Sequence, residues 1–267
     1  MPELPDVEIF RQRFERKARG RPVSEVRTLV NRMLDHITPK KLNRTLVGKR
    51  VVATKRHGKH LFVEFDGGSL LALHFGMTGE IVTLAKDQKP PKYTALHLVF
   101  GDRGAIALTS RRHLGKIGLA KTAEAFIRSH NLGPDALDPR LDRKAFQETL
   151  GSKRSAIKSA LMDQSKLAGV GNIYSDEILF QAGLNPKNLV GDLSPADARQ
   201  LFKAVRQVLQ KAIKRGIVAE EIAGDVPKDW LLPHRSEGCK CPRCRATVQA
   251  TKIGGRTAWF CPSCQPG

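Results

Sequence analysis

No run of apolar residues in this 267-residue chain is long enough to cross a bilayer, which excludes a membrane-spanning helix. The first thirty residues carry charge throughout, so no secretory signal is visible. Cysteine is missing from the first 238 positions, and all five cysteines follow. That argues against a disulfide framework spread through a secreted fold and favours a local metal site in a reducing compartment. Acids are scarce: 26 Asp and Glu stand against 46 Lys and Arg, giving a formal charge of +20 and a pI of about 10.1. The basic residues run along the whole chain rather than forming a tail. A folded body with that excess is most simply a binder of polyanions, of which nucleic acid is the commonest. The 40% hydrophobic content is ordinary for a globular protein, and the length admits two modest domains with a small appendage. There are no internal repeats and no low-complexity tracts.

The periodicity changes twice along the chain. Val7, Ile9, Phe10 and Phe14 in a charged setting predict an amphipathic helix within residues 1–20. From Val23 to about Leu119, short apolar stretches such as VVATKRHGKHLFVEF, SLLALHFGM, YTALHLVF and AIALTS alternate with turn signals. Strands at this spacing predict an antiparallel sandwich or barrel. DQKPPK at 87–92 reads as a loop. From Leu141 to Arg215 a period of 3.6 dominates, and it is lost again after Gly216, where Gly, Pro and Cys gather. The first boundary is placed near residues 120–136.

The C-terminal stretch reads CKCPRCRATVQATKIGGRTAWFCPSC. Cys241, Cys244, Cys261 and Cys264 form two C-x2-C knuckles, and four thiolates around one ion make a closed structural zinc site with no vacancy for catalysis. Cys239 is read as a free thiol, with replacement of Cys241 as its alternative. TKIGGRTAWF between the knuckles predicts two strands about a turn. Arg256 follows the Gly254–Gly255 tip, placed either to hold a phosphate or simply to be solvated.

In KSALMDQSKLAGVGNIYSDE two helical patterns flank Gly169 and Gly171, and Asn172 stands at an expected N-cap. A helix, a tight glycine turn and a second helix can clamp a phosphate, with N-terminal amides aimed at the anion and Lys158 adding charge. The alternative is an ordinary helical hairpin. The chain opens MPELPDVE, with proline directly behind methionine. That start makes sense if the processed end of the chain is itself a reagent.

Taken together, MPELPDVE, RHGKHLFVEF, LHFGMTG, LGPDAL, LMDQSKLAGVGNIYSDEILFQAGLNP and GGRTAWFCPSCQ resemble the formamidopyrimidine-DNA glycosylase and endonuclease VIII family, in family order and over nearly the whole chain. The resemblance implies an α+β fold: an N-terminal antiparallel β-sandwich (1–122), a helix-two-turn-helix domain (136–225) and a C-terminal zinc finger (234–267) holding one structural Zn2+. It implies a monomeric, cytoplasmic enzyme, associated with the nucleoid through DNA. Such an enzyme removes oxidised bases from damaged double-stranded DNA and then nicks the abasic site. Pro2 and Glu3 would be catalytic: with Met1 removed, the Pro2 amine attacks C1′ and forms a Schiff base, and Glu3 moves protons. An α-amino group has a pKa of roughly 7.7–8, so a neutral fraction exists near neutrality; proline's ring amine sits higher, and its environment must lower it. By the same resemblance Lys59 holds a phosphate beside the lesion and assists proton transfer, and Arg256 grips flanking phosphates and donates a proton in δ-elimination. Lys158 and Asn172 match the clamp's phosphate contacts, with Lys153 as a further addition. His74 and Met77 lie in the family's HFGMTG-like turn, Met77 as a wedge filling the space of the flipped nucleotide.

The chain departs from the 8-oxoguanine-processing branch at three places. In TSRRHLGK (109–116) Arg111 is kept, but His113 or Leu114 replaces the branch's helix-invading phenylalanine. The branch's H-x-H pair is replaced by KYTAL, and the connector from Gly216 to Gly238 is shorter. A poor 8-oxoguanine glycosylase is therefore expected. The alternative function is a catalytically silent or lesion-diverged DNA-binding member of the family. Pro2, Glu3 and Lys59 together argue against it, since simple binding needs none of them. A zinc-dependent hydrolase is disfavoured, because four cysteines close the metal shell.

Overall fold

Apolar residues two apart between Val51 and Ala120 point into one core and draw their strands into two sheets. The computed structural model of the chain describes residues 1–151, 154–219 and 224–267. It contains two compact units, Met1–Pro2 with Asp6–His130, and Glu3–Pro5 with Asn131–Gly267. The chain begins with helix α1 (Leu4–Ala18), strand β1 (Glu25–Thr28) and helix α2 (Pro39–Leu46). Strands β2 (Val51–His57), β3 (His60–Phe65), β4 (Leu70–His74), β5 (Gly79–Leu84), β6 (Thr94–Val99), β7 (Ala105–Ser110) and β8 (Lys116–Ala120) follow, then helix α3 (Ala123–Ser129).

The strands of the first unit form two antiparallel four-stranded sheets, in the orders β1-β6-β7-β5 and β2-β3-β4-β8. The expected sandwich is present. Leu61, Val63 and Phe65 of β3 and Leu71 and Leu73 of β4 belong to one buried cluster with Ile106 and Leu108 of β7, Leu96 and Leu98 of β6, and Phe10 and Phe14 of α1. Each such side chain, fully buried, contributes about 1.5–3 kcal/mol. Phe62 points the other way, as the two-residue period requires, and packs with Leu70, Ala72 and Phe126 of α3.

Helices α2 and α3 leave no clear period in the sequence, because each has too few turns. Local caps start them instead. Thr38 Oγ1 accepts from Lys41 N at 3.2 Å ahead of Pro39, and Thr122 Oγ1 accepts from Ala125 N at 3.0 Å.

The second unit holds helices α4 (Arg143–Leu150), α5 (Ile157–Met162), α6 (Asn172–Ala182) and α7 (Pro195–Lys214), then the hairpin β9 (Gln249–Ile253) and β10 (Arg256–Phe260). Helix α7 opens with a full capping box of Ser194 and Asp197. Its inner stripe of Leu201, Ala204, Val205, Val208 and Leu209 packs with Phe146, Ile157, Leu161, Tyr174, Ile178 and Trp230. Among the described residues no helix is long and apolar enough to cross a membrane.

Candidate functional site

Glu3 lies against the start of helix α6. Its side chain is 1% exposed, and its carboxylate accepts from Gly171 N at 2.6 Å, Ile173 N at 2.7 Å and Tyr174 N at 3.2 Å. These amides are the unpaired donors of the first turn of α6, so Glu3 caps that helix. Next to it, Leu4 N donates to Gly169 O at 3.0 Å. Gly169 has φ +119, and a Cβ there would lie 2.6 Å from Leu4 Cδ1. The glycine turn is therefore needed for the close approach of the Glu3–Leu4 segment. Pro2 is buried.

This arrangement corrects two expectations. Asn172 is not the N-cap: α6 begins at Asn172, Gly171 precedes it, and the capping oxygens come from Glu3. The amides expected to face a phosphate face the protein's own carboxylate. Lys158, expected to add charge to the phosphate clamp, is fully buried. Its ammonium donates to Asp176 Oδ1 at 2.5 Å, Ser175 Oγ at 2.8 Å and the Asn172 carbonyl at 3.1 Å. Burial pulls the Lys158 ammonium down from its ordinary value, against the upward pull of Asp176. Arg235 completes the cluster, with Nε at 3.0 Å and Nη2 at 2.9 Å from Asp176 Oδ2. Neither Asp176 nor Arg235 was singled out in the sequence. Asp176 sits in a family segment, but only the fold shows that it pairs two cations. Asn172 Oδ1 is buried without a hydrogen-bond partner among the described residues. Lys153 lies outside the described residues.

In the first unit, Lys59 sits in the β2–β3 turn with 5% of its surface exposed. His74 ends β4; its Nδ1 accepts from Gly76 N at 3.3 Å, and its ring centroid lies 4.9 Å from that of His60. Burial and the nearby Lys59 charge push His74 down to about 4, so it is a neutral imidazole at pH 7. Gly76 follows at φ +60, where a Cβ would come within 2.4 Å of the Leu114 backbone, and a Cβ on Gly115 would lie 2.5 Å from His74 O. Two glycines thus press the Met77 turn against the 111–115 loop. There Arg112 Nη1 donates to Met77 Sδ at 3.5 Å. Arg111 and Arg112 are exposed. The structure also separates His113 from Leu114. His113 is half-buried with Nδ1 2.6 Å from Arg32 Nη2, whereas Leu114 is 52% exposed.

The four cysteine sulfurs at 241, 244, 261 and 264 lie within 4.8 Å of one another, with Cys241–Cys264 at 3.8 Å and Cys244–Cys261 at 3.4 Å. A tetrahedron with Zn–S bonds of about 2.3 Å has edges of about 3.8 Å, so these donors fit one structural zinc ion. Cys239 stands apart from this set and contacts Ser236 Oγ at 3.0 Å. The finger is fastened to α6 by Arg243, inside the first knuckle. Its guanidinium lies 4.3 Å over the Phe180 ring and bonds Phe180 O and Gln181 Oε1. Gln181 in turn donates to the buried Glu177 at 2.7 Å, and burial pushes that carboxyl up to about 8. At the hairpin tip Gly254 and Gly255 have φ +54 and +74, as a two-residue turn requires. Gly254 faces Ser159 of α5, and Arg256 is exposed beside it.

Three family models match the chain in succession. The formamidopyrimidine-DNA glycosylase N-terminal domain matches residues 1–117, the formamidopyrimidine-DNA glycosylase H2TH domain matches 132–222, and a zinc finger found in FPG and IleRS matches 238–267. The formamidopyrimidine-DNA glycosylase of Pelotomaculum thermopropionicum is 32% identical over 276 residues, covering 99% of both chains. That of Carboxydothermus hydrogenoformans is 32% identical over 272 residues, covering 99% of this chain and 100% of its own. Among solved structures, Lactococcus lactis Fpg in complex with abasic-site DNA superposes with a TM-score of 0.90 at 29% identity, covering 99% of this chain and 100% of its own. MutM in complex with carbocyclic 8-oxo-G DNA gives 0.89 at 30% identity, covering all of both chains. With its sandwich, its helical unit and its finger each matched in order, the chain belongs to the formamidopyrimidine-DNA glycosylase family.

Proposed function

We propose that this protein is a base-excision repair enzyme, a DNA glycosylase for oxidised bases with abasic-site lyase activity through Pro2. The observation that carries the reading is Glu3, directly after Pro2, buried and fixed by three amides of α6. A carboxylate held this way has a set position, which proton transfer at a sugar demands. Once Met1 is removed, the secondary amine of Pro2 attacks C1′, and the bond to the base breaks. Loss of the amine proton and opening of the C1′–O4′ bond give the iminium; loss of the C2′ proton then expels the 3′-phosphate, and loss of the C4′ proton expels the 5′-phosphate. Glu3 carries protons to the opening sugar or the departing base, with Lys59 and Arg256 in the supporting roles that the family resemblance implies.

Arg111 and Arg256, both exposed, are the phosphate cations of this reading, and the buried Lys158 leaves that role. Met77 and Leu114 supply apolar contacts for the space left by a flipped nucleotide, with Leu114 rather than His113 in the position of the missing phenylalanine. Zinc, when bound, holds the hairpin that presents Arg256.

Binding to undamaged duplex should weaken steeply with salt. About five phosphate contacts give a log–log slope of roughly −4 to −5, and Arg111→Ala and Arg256→Ala should each flatten it by about one unit. Lys158→Ala should leave the slope unchanged. Fluorescence anisotropy over a salt series measures this, and a slope near zero would assign the +20 charge to another partner.

The activity itself is tested by single-turnover excision on matched duplexes. Abasic, dihydrouracil and thymine-glycol DNA should be processed faster than 8-oxoguanine opposite C. Telling 8-oxoguanine from guanine needs polar contacts in a closed pocket, while opening an abasic site needs none. An 8-oxoguanine rate equal to the others would defeat the preference. Tight binding with every strand left intact would instead identify a silent DNA-binding member of the family.

A further inference from the structure

The peptide group between Asn172 and Ile173 has cations at one end and the Glu3 carboxylate at the other. Its carbonyl oxygen accepts from Lys158 Nζ at 3.1 Å, Arg235 Nη2 at 3.4 Å and Ser175 Oγ at 3.2 Å. Its N–H, on Ile173, donates to Glu3 Oε1 at 2.7 Å. A positive charge on an amide oxygen draws electron density along the conjugated O–C–N unit and makes the N–H a stronger donor. Hydrogen bonds in series strengthen one another in this way, most in a low-dielectric interior. The charged groups are largely out of solvent: the Lys158 and Asp176 side chains are fully buried, and that of Arg235 is 14% exposed.

The charges of this set also call for Glu3. Lys158 and Arg235 are two cations, and Asp176 between them is one anion. Glu3, across the peptide, supplies the second negative charge, and its field on Lys158 acts upward, as that of Asp176 does. A buried cation without such compensation would be costly.

We propose that Lys158 and Arg235 are positioning residues for Glu3, acting through the Asn172–Ile173 peptide, with Asp176 holding the two cations in place. Neither touches DNA in this role. The cations come from α5 and from the segment that leads into the zinc finger, so both flanks of α6 set the strength with which its first turn grips the carboxylate. The proposal rests on the reading of Glu3 as the residue that moves protons.

The test uses the full-length zinc-loaded protein, labelled with 15N at isoleucine, and reads the Ile173 amide alongside base release on a thymine-glycol duplex. Lys158→Met and, separately, Arg235→Met should move the Ile173 amide proton upfield, while Ile81 and Ile106 in the other unit stay in place. Base release should slow about tenfold in Lys158→Met, the scale of one weakened charge-assisted hydrogen bond. Arg235→Lys should recover most of the loss in Arg235→Met. In a Glu3→Gln background Lys158→Met should move the Ile173 signal much less, a non-additivity that a purely structural role would not produce. Arg235→Met keeps the test open should Lys158→Met fold poorly, because Lys158 and Asp176 remain paired. An Ile173 signal unmoved in both variants would overturn the relay, as would wild-type rates of base release alongside a moved signal. Should the wild-type protein release no base from any lesion duplex, the proposed function fails, and the Ile173 signal still decides the relay.

Discussion

Protein carrying a blocked Pro2 nitrogen is expected to lose covalent capture on abasic-site DNA. Borohydride reduces the iminium between Pro2 and C1′ to a stable amine, so the trapped complex reports the bond that the reaction needs. With Met1 retained, the Pro2 nitrogen is an amide, its lone pair is delocalised, and it cannot attack. The loss should reach about a thousandfold or more, the scale on which removal of a covalent nucleophile acts. Pro2→Gly is the weaker control, because glycine keeps a free amine. Mass mapping of the trapped peptide should place DNA on residue 2. Undiminished trapping by N-terminally blocked protein, or a cross-link mapped to a lysine, would remove Pro2 from the mechanism.

Loss of zinc should be nearly as damaging, by a different route. The chain should bind one zinc ion, and Cys261→Ser should abolish that binding. The finger has little else to hold it: its core is Val248, Cys241 and Cys261 against Phe180 and Leu231. Zinc binding by small fingers is worth about 10–16 kcal/mol, far more than so few apolar contacts supply. Without the ion the β9–β10 hairpin loses its frame, and Arg256 loses its place. DNA affinity should fall together with metal content, while the separate sandwich core of the first unit still unfolds cooperatively. Cys239→Ser should leave zinc content unchanged, since its sulfur lies outside the four-sulfur set. Metal analysis finding no zinc, or Cys261→Ser protein with unaltered DNA affinity, would refute the structural role.

The zinc ligands were legible because a metal site of this kind is local. Two C-x2-C knuckles fix four donors by spacing alone, and the Gly254–Gly255 tip specifies its own turn. The strands of the sandwich were legible for a similar reason, since a two-residue period in β3 and β4 is written in consecutive residues. Helices α2 and α3 are not legible in the sequence, because each is short and begins at a threonine cap, a signal with many false matches.

Three features were decided only by tertiary structure, each through contacts distant in sequence. Gly171 and Glu3 are 168 residues apart, and their bond makes a cap from a carboxylate that no local pattern could nominate over Asn172. Lys158 resembles a surface cation in its own segment; burial follows from Asp176 on the next helix and Arg235 beyond the last long one. His113 and Leu114 are neighbours with opposite fates, because Arg32 from elsewhere in the sandwich engages the imidazole and leaves the leucine in water. The chain by itself determined the ligand spacing, the strand period and a proline at the second position, all properties of near neighbours. Which polar groups are buried, and against what, depended on charges brought together by folding. The cost of burying a charge is set by its partners in space, and those are not its partners in sequence.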